Sequence, residues 1–185
     1  MLGIFLDTET NGLNPRKHLP IDIAIVIQNL QSKKEYASYE TLISISPSDW
    51  EKSDPASLAV NGYTWEDIEH GKPLDLVSAD ILALFKSCDV KRGKSVFICQ
   101  NPSFDRAFFS HLIDPDTQEK LNFPYHWLDL ASMHWATHPE PWRSGISKDA
   151  IAAAHKLPSE DKPHKAMNGT RHLIACYWAL IDSKK

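Results

Sequence analysis

Leu2-Gly3-Ile4-Phe5-Leu6-Asp7-Thr8-Glu9-Thr10-Asn11-Gly12-Leu13 is the stretch on which the reading of this chain turns. Residues 2–6 are an unbroken apolar run, the pattern of a strand buried on both faces, and the polar turn after them ends it. Asp7 and Glu9 stand two apart at the end of that strand, so strand geometry sends both carboxylates to one face. Like charges held together at a buried strand end repel unless a divalent cation or a shared proton balances them. Hard oxygen donors of this kind suit Mg²⁺ or Mn²⁺. Taken alone, the two residues also fit polar loop-entry positions facing water.

Working outward, residues 21–27 and 36–45 are two further strands rich in β-branched and aromatic residues, with a polar turn over 29–34. Short connections predict an antiparallel meander. The periodicity then changes: Leu74, Val77, Ile81, Leu84 and Phe85 recur at helical spacing. Ahead of them, Ser53-Asp54-Pro55 and Thr64-Trp65-Glu66-Asp67 read as helix starts. Residues 96–99 form a second buried strand, after which Ser103 is expected to cap a helix carrying Phe104, Phe108 and Leu112. Residues 126–130 predict a last short strand, Ser147 a cap for a small helix through His155, and residues 166–181 a final amphipathic helix. This order predicts an α/β fold: a mixed sheet of about five strands, three antiparallel and then parallel, flanked by helices.

A chain of 185 residues fits one domain, and 42% hydrophobic with 24% charged residues is a globular balance. No apolar stretch approaches the roughly 20 residues of a membrane span. Met1 leads into an apolar run with neither a basic start nor a cleavage site, so a cytoplasmic protein is expected. Cys88, Cys99 and Cys176 give neither an even disulfide set nor a Cys-x-x-Cys pair, and read as core residues in a reducing compartment. A net charge of −4 argues against a protein that coats nucleic acid, though not against an enzyme that grips one strand end. His134 and His138 are four apart, yet Trp135 stands where a His-Glu-x-x-His zinc motif needs glutamate.

Two more segments carry chemistry. Asn101-Pro102-Ser103-Phe104-Asp105-Arg106-Ala107-Phe108 opens a helix beyond the second buried strand, with Asp105 in the first turn, where the helix dipole favours an acid. His164-Lys165-Ala166-Met167 enters the last helix behind Pro163. Together and in this order, the three stretches resemble the exonuclease motifs of DnaQ-like, DEDDh-type 3′ to 5′ exonucleases, whose fold is ribonuclease H-like. Residues 5–13 match the Asp-x-Glu-Thr-Thr-Gly-Leu of the first motif. Ile21-Asp22-Ile23-Ala24 resembles the Ile-Glu-Ile-Ala that follows, and Val60-Asn61-Gly62-Tyr63-Thr64 a Val-His-Gly-Ile-Thr segment. Asp129 falls where the family often has Leu-Asp-Thr, and His164-Lys165-Ala166-Met167 matches the His-x-Ala-Leu of the third motif. The resemblance covers nearly the whole chain, and implies one exonuclease domain over residues 1–185.

One position departs. The family's last aspartate lies five residues after the histidine; here that residue is Gly169, and no carboxylate occurs between His164 and Asp182. Glycine offers a cation no side chain. If the site works with three acids, Gly169→Asp is expected to restore the fourth with little disturbance of the fold.

The resemblance implies hydrolysis at the 3′ end of single-stranded DNA or RNA, with two Mg²⁺ or Mn²⁺ ions straddling the scissile phosphate. It assigns Asp7, Glu9 and Asp105 to the ions and His164 to the general base, since histidine ordinarily titrates near 6.5. Thr8, Thr10, Asn11, Gly12 and Leu13, with Asn101 and Phe104, are the implied substrate contacts, Leu13 wedging against the terminal base. Arg16, Lys17 and His18, with Lys162, Lys165, Arg171 and His172, are candidate phosphate contacts. The missing acid leaves two alternatives: an impaired module that binds nucleic-acid ends, or an oligoribonuclease-like enzyme on short oligonucleotides.

Overall fold

The computed structural model describes residues 1–183. Six strands, β1 (Leu2–Thr10), β2 (Pro20–Asn29), β3 (Glu35–Ser44), β4 (Lys72–Pro73), β5 (Ser95–Cys99) and β6 (Trp127–Asp129), form one sheet in the order β4-β3-β2-β1-β5-β6. The pairs β1–β2 and β2–β3 are antiparallel, while β5 lies parallel to β1, β6 to β5 and β4 to β3. The expected five strands become six because β4 is a two-residue edge piece, too short to leave a pattern in sequence. Burial follows position in the sheet. Central β2 is buried over nine consecutive residues, whereas β3 alternates, as a strand with one wet face does.

The helices are α1 (Pro47–Trp50), α2 (Pro55–Asn61), α3 (Trp65–Glu69), α4 (Leu74–Ser87), α5 (Pro102–Leu112), α6 (Pro115–Lys120), α7 (Leu130–Thr137), α8 (Pro141–Ser144), α9 (Lys148–Ala154) and α10 (Ala166–Asp182). Five of them, α1, α2, α5, α6 and α8, start on a proline, whose fixed φ and missing N–H suit the first turn. Asp54, Thr64 and Ser147 cap α2, α3 and α9 as the sequence predicts. Ser103 does not cap α5. The cap position is Asn101, in the left-handed region at φ 56°, and the Ser103 hydroxyl donates instead to Asn101 Oδ1 at 2.7 Å. None of the described helices is long and apolar enough to cross a membrane.

Alternation along β1 divides the core. Ile4 and Leu6 join Ile23, Ile25, Val77, Ile81, Phe85, Phe97 and Phe109 under α4 and α5. Phe5 points the other way, to Val26, Ile98, Leu130, Ile151, Leu173 and Tyr177 under α7, α9 and α10. Cys99 and Cys176 are buried within these two layers. Asp7 and Glu9 share the parity of Phe5, so the β1 carboxylates fall on the side of α9 and α10.

Candidate active site

β1 delivers Asp7 and Glu9 opposite Ala24 and Asp22 of β2. α5 begins just beyond β5, and its first turn brings in Asp105, which is 3% exposed. The loop before α10 brings in His164, whose backbone N–H donates to the Val60 carbonyl at 3.1 Å. The four residues expected to do the chemistry therefore come from three separate parts of the chain.

Electrostatically this is a strained cluster. Burial, with Glu160 and Asp22 adding repulsion against the relief from Lys148, pushes the Asp7 carboxyl up to about 6. Burial and the charges of Asp7 and Asp22 push Glu9 up to about 8. Asp105 is raised well above the carboxylate range by burial and by Asp7. Burial is the largest cause in each case, and the repulsion among the carboxylates adds to it. The donor set is thus hard, anionic and under-neutralised, which fits a divalent cation at Asp7, Glu9 and Asp105. Among the described residues, however, no three Asp, Glu, His or Cys side chains are already drawn into a metal cage.

Two residues that sequence reasoning missed complete the cluster. Lys148, first residue of α9, places its ammonium 3.4 Å from Asp7 Oδ1 and 2.9 Å from Glu160 Oε2. Burial works against that charge, but Asp7 and Glu160 hold the Lys148 proton more firmly than usual. Glu160 Oε1 in turn lies 3.1 Å from His164 Nδ1, close but without hydrogen-bond alignment. The one sequence signal for Lys148 is its place directly after the Ser147 cap, where the helix dipole disfavours a cation. Glu160 had none.

Gly169 faces this group. A Cβ on it would stand 2.0 Å from Asp7 Oδ2 and 2.9 Å from Lys148 Nζ. The expectation that Gly169→Asp would be accepted quietly is therefore corrected: Asp7 and Lys148 occupy the space its side chain needs.

Behind the cluster, Asp22 is buried and accepts from the Tyr63 hydroxyl at 2.6 Å and from the Ala166 N–H, in the first turn of α10, at 2.9 Å. Lys165 lies over the Tyr63 ring, 3.2 Å from its centroid. Asp129 caps α7 and accepts the Asn101 N–H at 3.0 Å, fixing the entry to α5.

On the outer side, Thr8, Glu9, Thr10, Leu13, Val60 and Phe104 line a small cleft of 110 Å³. Leu13 is 69% exposed at its rim, and Phe104 packs on the buried Phe108. Asn11 has another part to play than the one expected of it. Its amide donates to Asp49 O and Ser53 Oγ, its Oδ1 accepts from Leu19 N–H, and its backbone pairs with Leu19 and Asp54. It braces the loop from within. Thr8 and Thr10 likewise turn their hydroxyls to the carbonyls of Asp22 and Gly12, while Gly12 leaves room for the His18 ring that packs on it. Asn101 is exposed at the α5 entry.

Arg16, Lys17, His18, Lys52 and His111 line a second, open cleft next to the same loop. Arg171, counted among the basic candidates, is tied to Glu35, and the His172 side chain is buried with Nε2 on the Pro158 carbonyl at 3.0 Å.

No curated protein matches the chain in sequence. Solved structures do match in fold. Cell-death related nuclease 4 (CRN-4) superposes with a TM-score of 0.76 at 15% identity, over 98% of this chain and 64% of that one. E. coli exonuclease I in complex with a dT13 oligonucleotide gives 0.72 at 16% identity, over 98% and 41%. The nuclease domain of 3′hExo, a DEDDh family member bound to rAMP, gives 0.73 at 9% identity, over 98% and 91%. The chain thus spans about two thirds of CRN-4 and well under half of exonuclease I. Residues 4–177 match the family described as RNase_T, exonuclease; with that match and a ribonuclease H-like sheet, the chain belongs to the RNase_T exonuclease family.

Proposed function

We infer that this chain removes nucleotides from the 3′ end of single-stranded nucleic acid in a reaction that depends on a divalent cation. The observation that carries this reading is the mutually repelling trio of buried Asp105 with partly buried Asp7 and Glu9, beside a half-buried His164 and a cleft rimmed by Leu13 and Phe104. A divalent cation held by Asp7, Glu9 and Asp105 would supply the positive charge that activates water and offsets the charge of the scissile phosphate.

The chain's own residues do the rest. Glu160 faces Nδ1 of His164, which favours the tautomer with its proton there and leaves Nε2 to take the proton of the attacking water. Leu13 and Phe104 offer apolar faces to the terminal base, and the Asn11 brace keeps Leu13 in place for it. Arg16, Lys17 and Lys52 lie where upstream phosphates can be held as point charges. The dT13 oligonucleotide and the rAMP held by the two structural relatives support a nucleic-acid ligand for this cleft.

A time course on 5′-labelled DNA and RNA strands, with Mg²⁺ and then Mn²⁺, tests the reading. Stepwise shortening from the 3′ end is expected. A second reading, that the chain holds 3′ ends without cutting, is favoured by Lys148 resting on Asp7; a mobility shift with no shortening in either metal would establish it instead.

A further inference from the structure

The place of the absent fourth carboxylate is full. Gly169 leaves a gap in the α10 surface, and Asp7 Oδ2 and Lys148 Nζ enter it to within 2.0 and 2.9 Å of where a Cβ would be. The lysine is built in rather than draped over the surface: its side chain is 14% exposed and that of its partner Glu160 is 2% exposed. Both ends of the pair are fixed to α9, because Lys148 opens that helix and the Glu160 N–H donates to Asp149 Oδ1 at 3.1 Å. Cys176 Sγ sits 3.9 Å from the Lys148 carbonyl, so α10 packs directly on the helix turn that carries the lysine. An ammonium fixed between two buried carboxylates is a unit of positive charge that the site cannot shed without leaving both unpaired.

We propose that the Lys148 ammonium, braced by Glu160, stands in for one cation at Asp7, so that the carboxylate cluster takes a single divalent ion rather than two. This deepens the proposed function and rests on its divalent-cation reading. Two features argue for it together. The side of Asp7 that faces α10 meets a glycine and an ammonium, and so offers a second ion no further oxygen donor from that helix. Any cation approaching Asp7 from that side would also meet the ammonium head-on. Asp7 Oδ1 and Glu160 Oε2 already share the Lys148 charge, which makes Lys148 a positioning and charge-balancing residue.

The test is a titration of the unmodified full chain with Mn²⁺ alone, in the absence of nucleic acid, followed by calorimetry and by the paramagnetic resonance of free Mn²⁺. One ion per chain is expected. Lys148→Met, checked for folding by circular dichroism, should take up a second ion, or bind the first at least tenfold more tightly, once Asp7 and Glu160 lose their shared partner. Two ions, or none, on the unmodified chain would overturn the proposal, as would a folded Lys148→Met that binds like the unmodified chain. Where Lys148→Met does not fold, the count on the unmodified chain decides. Strand shortening measured alongside separates the two readings. One ion, with a second gained in Lys148→Met but no shortening, removes the exonuclease reading and leaves the role of Lys148; brisk shortening with two ions bound does the reverse.

Discussion

At Gly169 a single methyl group is a sensitive probe. In an open helix, glycine to alanine stabilises by about 1 kcal/mol. Here the added carbon would meet Asp7 Oδ2 at 2.0 Å, and forcing a side chain into a filled space costs about 1–3 kcal/mol. Gly169→Ala is therefore expected to lower the urea midpoint, and Gly169→Asp to lower it further without raising Mg²⁺-dependent turnover. A midpoint that rises in Gly169→Ala would mean that Asp7 steps aside freely. His164→Ala is expected to reduce kcat by about 10²- to 10⁴-fold with little change in strand affinity, the signature of a group acting in the transition state. Single-turnover rates measured beside strand binding check this, and equal losses in both would remove His164 from the chemistry. Asp7, Glu9, Asp105 and His164 were readable as candidates because each sits in a motif whose spacing carries meaning. Lys148 and Glu160 were not, since each looks like an ordinary surface charge until the fold turns it inward.

Among the elements, the first turn of α10 is tied to β2 by one carboxylate. Asp22 accepts from Tyr63 and from the first N–H of the helix, and burial raises its own affinity for a proton against these stabilising hydrogen bonds. Asp22→Ala would leave both donors unpaired, at about 1–3 kcal/mol each before water reaches them. Faster hydrogen exchange in the first turn of α10 is expected, together with lower turnover, because His164 enters through that turn. Unchanged exchange would show that the packing of Leu173 and Tyr177 suffices to hold the helix. The long elements were readable from periodicity, α4 by its repeating apolar residues and α10 nearly to the residue. What escaped was short: the proline-started α1, α6 and α8 have too few residues for a periodic signal, and Ser103 looked like a cap because Asn101 adopts a conformation that an L-residue seldom takes.

For the molecule as a whole, the carboxylate cluster sets how stability changes with pH. Burial lifts Glu9 from 4.5 to about 8 and Asp7 from 3.8 to about 6. Unfolded, both lose their protons near the lower values, so between those limits the folded chain binds more protons than the unfolded one. This stabilisation is complete below about pH 4 and is lost as pH rises through 6 and then 8. Without divalent ions, stability is expected to fall by about 2 kcal/mol or more across this range. Melting curves from pH 5 to 8 would show it, Glu9→Gln should flatten the slope, and Mg²⁺ should restore what is lost at pH 8. A flat profile in the unmodified chain would mean that water already reaches these groups. The mixed sheet itself was legible from the change of period after β3. Its strand order was less so, because the placing of β1 between β2 and β5 depends on pairing across the length of the molecule.

That pairing also has a duration. Leu2 lies opposite Ser95 in the parallel β1–β5 ladder, and ribosomes add roughly 5–20 residues per second, so the strand waits on the order of 5–20 s for its neighbour to be made. During that interval β2 can zip onto one edge of β1 while the other edge keeps its N–H and C=O groups open. The apolar run that anchors the carboxylate-bearing strand in the finished protein is thus, in the nascent chain, an open adhesive edge.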